Sequence, residues 1–112
     1  MITNSMNWKV TFYSDKIEAQ TLNFPTGILA NFVHIAEMIE KLGPNLGKPY
    51  VGSLKDGLYE IRAKGKEGIG RSIYCTLKGQ EVVILHSFIK KTQKTPKKDL
   101  SLAKKRMKEV MR

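Results

Sequence analysis

The sequence predicts an α+β domain, with helices packed on a small antiparallel or mixed sheet of about four strands and a basic helix at the C-terminal end. Three observations lead there. Trp8, Val10 and Phe12 alternate with Lys9, Thr11 and Tyr13, the period of a half-buried strand. Ile28, Leu29, Phe32, Ile35, Ala36, Ile39 and Leu42 recur at helical spacing and make one apolar stripe. Three strand-like runs then follow, Leu58 to Ala63, Arg71 to Leu77 and Glu81 to Ile89, with only turn-formers between them.

Taken in order, the first strand is followed by Ser14-Asp15, an N-cap for a short helix that ends by Asn23. Pro25 suits the first turn of the next helix, and Gly43-Pro44 stops it. Asn45 to Asp56 reads as a turn-rich connection. Gly65 to Gly70 reads as a loose, mobile hairpin loop, and Lys78-Gly79-Gln80 as a tight one. Thr95 as N-cap and Pro96 at the first helical position open the last helix, with Leu100, Ala103, Met107 and Val110 on one face.

At 112 residues the chain makes one domain with one core, residues 1–112. Its net charge of +10 is unevenly spread. Residues 1–47 hold three lysines against four acids, whereas residues 90–112 hold ten Lys or Arg against two acids. A near-neutral front and a basic back suit a molecule that meets phosphates with one face, although a solvated basic tail would give the same counts. The single cysteine, Cys75, excludes an intramolecular disulfide, and no Cys/His set approaches zinc spacing. No apolar run is long enough for a bilayer, and residues 1–7 lack a signal-peptide pattern, so a cytoplasmic protein without membrane contact is expected.

The cations among the apolar strands are the candidates for chemistry. Leu58, Glu60, Arg62 and Lys64 fall on one face of their strand. Strict alternation groups Ile84, His86, Phe88 and Lys90, with Lys91 opposite, and Arg71 precedes an apolar run. Adjacent strands could gather Glu60, Arg62, Arg71, His86 and Lys90 into one patch. Such a patch has the parts for cleaving an RNA phosphodiester: arginine forks for phosphate oxygens, and Glu, His or Lys to take and return protons. Phe88 could stack on an unpaired base. Glu60 with either arginine could equally be a cross-strand ion pair, and His86 a structural residue. Lys55, Lys64, Lys94, Lys97, Lys98, Lys104, Lys105 and Arg106 are candidate RNA-backbone contacts. His34, on the long helix, reads as structural or solvent-facing, and the Gly65–Gly70 loop lacks the spacing of a phosphate-binding loop.

Leu58-Tyr59-Glu60-Ile61-Arg62, Gly70-Arg71-Ser72-Ile73-Tyr74, and above all Leu85-His86-Ser87-Phe88-Ile89-Lys90-Lys91-Thr92-Gln93-Lys94-Thr95-Pro96 resemble the RelE/HigB superfamily of toxins, in its phage-derived HigB-like branch. The resemblance covers roughly residues 8–110. It implies a microbial-RNase-like fold, entry into the ribosomal A site, mRNA cleavage there and inhibition of translation; no cofactor or metal is expected, because Glu60 is the only acid in the three strand-like runs apart from Glu81, too few for a two-metal site. It implies a cognate antitoxin, often a helix-turn-helix protein, through which any contact with DNA would be indirect. It points to Arg62, Arg71, Lys90 and Lys91 as catalytic cations, with Glu60 and His86 as helpers. The alternatives are a non-catalytic RNA-binding module and a degenerate toxin acting only within a repressor complex.

Overall fold

A computed structural model describes residues 7–111. The elements run β1 (Lys9–Phe12), α1 (Asp15–Leu22), α2 (Thr26–Leu42), β2 (Val51–Lys55), β3 (Leu58–Gly65), β4 (Gly68–Leu77), β5 (Glu81–Ile89) and α3 (Lys97–Val110). The five strands form one mixed sheet in the order β1-β5-β4-β3-β2. Strand β1 lies parallel to β5, and every other neighbouring pair is antiparallel.

Helices α1 and α2 cover one face and α3 part of the other. On the first face, Ile17, Ile28, Phe32, Ile35 and Ile39 pack against Ile61, Ala63, Tyr74, Val82 and Ile84. Burying each such side chain contributes about 1.5–3 kcal/mol, which outweighs propensity, so the apolar stripe is what holds α2. On the second face, Ala103 and Met107 of α3 meet Leu58, Ile73, Cys75, Val83 and Leu85. The α+β class stands. Ser14 caps α1 as the sequence predicts, accepting from the Ile17 amide at 3.3 Å. Burial pushes the Tyr74 hydroxyl up to about 12 and the Cys75 thiol up to about 11, so neither ionises near neutral pH.

Four readings of the sequence need correction. The connection Asn45 to Asp56 contains a strand, β2, whose Gly52 and short length hide the alternation. The sheet therefore has five strands. Residues 65–70 are not a loose loop: β3 and β4 run on to the pair Gly65↔Gly68, with Lys66-Glu67 as the turn. That turn is docked on α2, because the Glu67 carboxylate accepts the Gly27 amide at 2.9 Å. A Cβ at Gly65 would strike the backbone of Gly27 and Ile28 at 2.6 Å, so only glycine allows the close approach.

Alternation also breaks in β5. Ile73 pairs with His86 but Tyr74 with Ile84, leaving Leu85 as a bulge. Ile84 packs toward α1 and α2, whereas Leu85 packs toward α3 and His86 bonds to residues of α3. The predicted grouping of Ile84 with His86 and Phe88 therefore fails. Finally, the N-cap of α3 is Pro96, with no side-chain cap bond. The Thr95 hydroxyl is directed back to the sheet.

Candidate active site

On the α3 face of the sheet, beyond the N-terminal end of that helix, a buried carboxylate holds two arginines. Glu60 and Arg62 are two residues apart on β3, and Arg71 pairs directly with Arg62 across β4. Two cations facing each other would repel. Glu60, only 1% exposed, sits between them and offsets that repulsion. Its Oε2 accepts from Arg62 Nε at 3.1 Å and from an Arg71 guanidinium nitrogen. Its Oε1 accepts the Thr95 hydroxyl at 3.1 Å. Arg71 is itself buried, and its Nε has no hydrogen-bond partner. An unmet buried donor costs about 1–3 kcal/mol.

Around this pair lies a hollow of about 320 Å³ lined by Lys48, Pro49, Arg62, Lys64, Ile69, Arg71 and Lys90. The α2–β2 connection, β3, β4 and the end of β5 each contribute to its wall. The Lys90 amide donates to Ile69 O at 2.8 Å, which fixes where β5 gives way to the lysine-rich loop. Five of the seven lining residues are cationic and none is acidic. Such a wall suits an anion of phosphate size.

Five of the predicted residues, Glu60, Arg62, Lys64, Arg71 and Lys90, come together here. His86 lies further along the same face, and its ring is already engaged. Nε2 lies 2.6 Å from Asp99 Oδ1, and Nδ1 lies 3.4 Å from an Arg106 nitrogen, both on α3. Phe88 stacks on His86 with ring centroids 5.6 Å apart. Lys91 and Lys94 are exposed on the loop, where Lys91 joins Lys90 and Ile69 in an adjoining hollow. Lys55, Lys97 and Lys104 line a separate groove between the β2–β3 turn and α3, where Lys104 pairs with Asp56 at 3.0 Å. Lys98 and Lys105 are exposed on α3. Arg106 turns inward, donating to Leu85 O at 2.7 Å and lying over the Tyr13 ring.

Two contributors escaped the sequence reading. Lys48 sits in the connection mistaken for a simple turn, and nothing local marks it. Gly52 did leave a signal, since a glycine within a strand often marks close approach of another group. A Cβ there would overlap the Arg62 guanidinium. Among the described residues, no group of three or more His, Cys, Asp or Glu could hold a metal ion. No helix among them is long and apolar enough to cross a membrane.

Comparison with known proteins agrees with this architecture. The family model for phage-derived Gp49-like proteins matches residues 19–108. No curated protein matches the chain. Among solved structures, the chain is similar to one in the crystal structure of the archaeal RelE–RelB complex from Pyrococcus horikoshii OT3. That match has a TM-score of 0.55 and 21% identity, and covers 75% of this chain and 96% of that one. At that identity the likeness speaks for the fold. The family match takes in the buried carboxylate, both arginines and the lysine loop, and the chain belongs to the phage-derived Gp49-like family, within the RelE/HigB superfamily of toxins.

Proposed function

We propose that this protein is the toxin of a type II toxin–antitoxin pair and that it cleaves mRNA on the ribosome, stopping translation. The observation that carries the reading is the arginine pair anchored on buried Glu60 at the floor of a cationic hollow. A surface that only binds a polyanion needs exposed lysines; it has no use for an arginine buried against a carboxylate with one donor unmet.

In this reading the 2′-hydroxyl oxygen attacks phosphorus. A P–O bond forms as the bond to the 5′-oxygen breaks, leaving a 2′,3′-cyclic phosphate and a 5′-hydroxyl. Arg62 and Arg71 stabilise the charge that grows on the phosphorane. Glu60 has both oxygens occupied by donors, so it orients the arginines. Lys90, on the wall of the hollow, and Lys91, in the adjoining one, are the candidates to take the 2′-hydroxyl proton and to protonate the leaving oxygen. His86 ties β5 to α3 through Asp99. The ribosome supplies the orientation of the attacking hydroxyl, so the free protein is slow on naked RNA. An antitoxin, a helix-turn-helix protein in this reading, holds the toxin inactive and carries any contact with DNA.

The test is cleavage of mRNA on programmed ribosomes, with the ends mapped by primer extension and analysed chemically. Arg62→Gln should lower the rate ~10²–10³-fold at unchanged fold, as loss of one positioned donor does. Arg62 is a cleaner probe than Arg71, whose removal leaves a buried carboxylate short of a partner at a cost of about 3–5 kcal/mol. A 5′-phosphate product that tracks added manganese would overturn the mechanism. RNA binding without cleavage would leave a binding module.

A further inference from the structure

We propose that Thr95 is a positioning residue of this site: its hydroxyl, given to Glu60, sets the arginine pair against the lysine loop. The sequence makes Thr95 look like the cap of α3, and the structure removes that role. Pro96 is the cap residue, and the Leu100 amide turns back to Pro96 O at 3.1 Å. The Thr95 hydroxyl is thereby free to reach 35 residues back along the chain to Glu60 Oε1, at 3.1 Å.

The geometry gives that bond two consequences. Both arginines bind Oε2, so the second oxygen of this buried carboxylate, Oε1, needs a donor of its own to complete the anchor. Thr95 supplies it. The same hydroxyl also closes the loop between β5 and α3. Its near end is fixed by the Lys90 amide on Ile69 O, and the Thr92 bond to Lys94 O stays inside the loop. At its far end, Thr95 connects the segment carrying Lys90, Lys91 and Lys94 to the floor of the hollow. Loss of this donor would leave Glu60 Oε1 buried without a partner, loosen both guanidinium groups and release the lysines.

The kinetic half of the test rests on the cleavage reading proposed above, and the spectroscopic half does not. Thr95→Val keeps the shape and removes the donor, and Thr95→Ser keeps the donor. With programmed ribosomes, Thr95→Val should lower kcat about 10²-fold, the cost of displacing reacting groups by an ångström. KM should stay within about twofold, because the exposed lysines still bind. Thr95→Ser should recover most of the loss. In parallel, the Arg62 and Arg71 Nε–H resonances are followed by NMR in the free protein. They should exchange with solvent at least about tenfold faster in Thr95→Val, as release of an ordered guanidinium allows, and at the parent rate in Thr95→Ser. Unchanged arginine resonances in Thr95→Val would overturn the proposal whatever happens to kcat. So would a kcat loss that serine fails to rescue. If the parent protein cleaves nothing, the functional reading falls, and the resonances alone decide Thr95.

Discussion

A methyl group at position 52 would occupy the space of the Arg62 guanidinium, the flexible end of a half-exposed side chain. Gly52→Ala should therefore leave the unfolding temperature nearly unchanged and still lower cleavage, by up to about 10²-fold, because the arginine gives way instead of the backbone. Thermal unfolding and ribosomal cleavage measured on the same preparation check this; full activity would show that Arg62 works equally well from another place. The site was legible in the sequence where charge conflicts with burial. Arg62 and Arg71 stood out because a cation among strand residues needs a reason to be there. The pairing of Glu60 with either arginine could also be read as a cross-strand possibility, but the Thr95 bond to Glu60 could not, because it depends on how the loop after β5 folds back onto β3. His86 shows the same limit: its position on the strand could be read, but Asp99 and Arg106 reach it only once α3 is docked.

The β3–β4 hairpin does more for the fold than its glycines first suggest. Glu67 places a carboxylate at the N-terminal end of α2, where the free amides and the helix dipole favour negative charge. The Gly27 N–H bond, its largest cause, holds the Glu67 carboxyl below its usual value. Its stabilising contribution is therefore present above the unfolded value of 4.5 and is lost as pH falls through the lower folded value. Glu67→Gln should melt below the parent at pH 7, and the gap should close on acidification. Paired unfolding scans from neutral to strongly acidic pH read this directly, and a gap constant with pH would exclude the charge. Long periodic elements such as α2 were legible, as were β4 and β5. Strand β2 was not, since five residues with a glycine among them carry too little pattern. The Leu85 bulge was not either, because nothing in Ile84-Leu85-His86 shows that Leu85 and His86 share a face until a partner strand sets the register.

Over the whole molecule, charge is sorted by element. Acids outnumber lysines in the α1–α2 layer, and the lysines of β5's end and of α3 make the opposite side cationic. Lys97 and Lys105, both exposed on α3 and outside the hollow, should contribute affinity for the ribosome without taking part in the chemistry. Reversing both to Glu should weaken binding and flatten its dependence on salt, by about one unit of slope for each phosphate no longer neutralised. Cleavage at saturating ribosomes should be spared. An unchanged slope would assign that helix to solvent or to the antitoxin. The pairing of β1 with β5 has a consequence in time. Thr11 bonds Glu81 across 70 residues of chain, so the edge strand must wait, unpaired, for a partner made 70 residues later. The cationic hollow waits for Lys90, the residue that follows that partner strand. On the cleavage reading proposed above, a nascent chain halted short of β5 lacks both the partner of its edge strand and the lysine of its site, so the order of synthesis itself would delay the moment at which the protein could act on the machine that makes it.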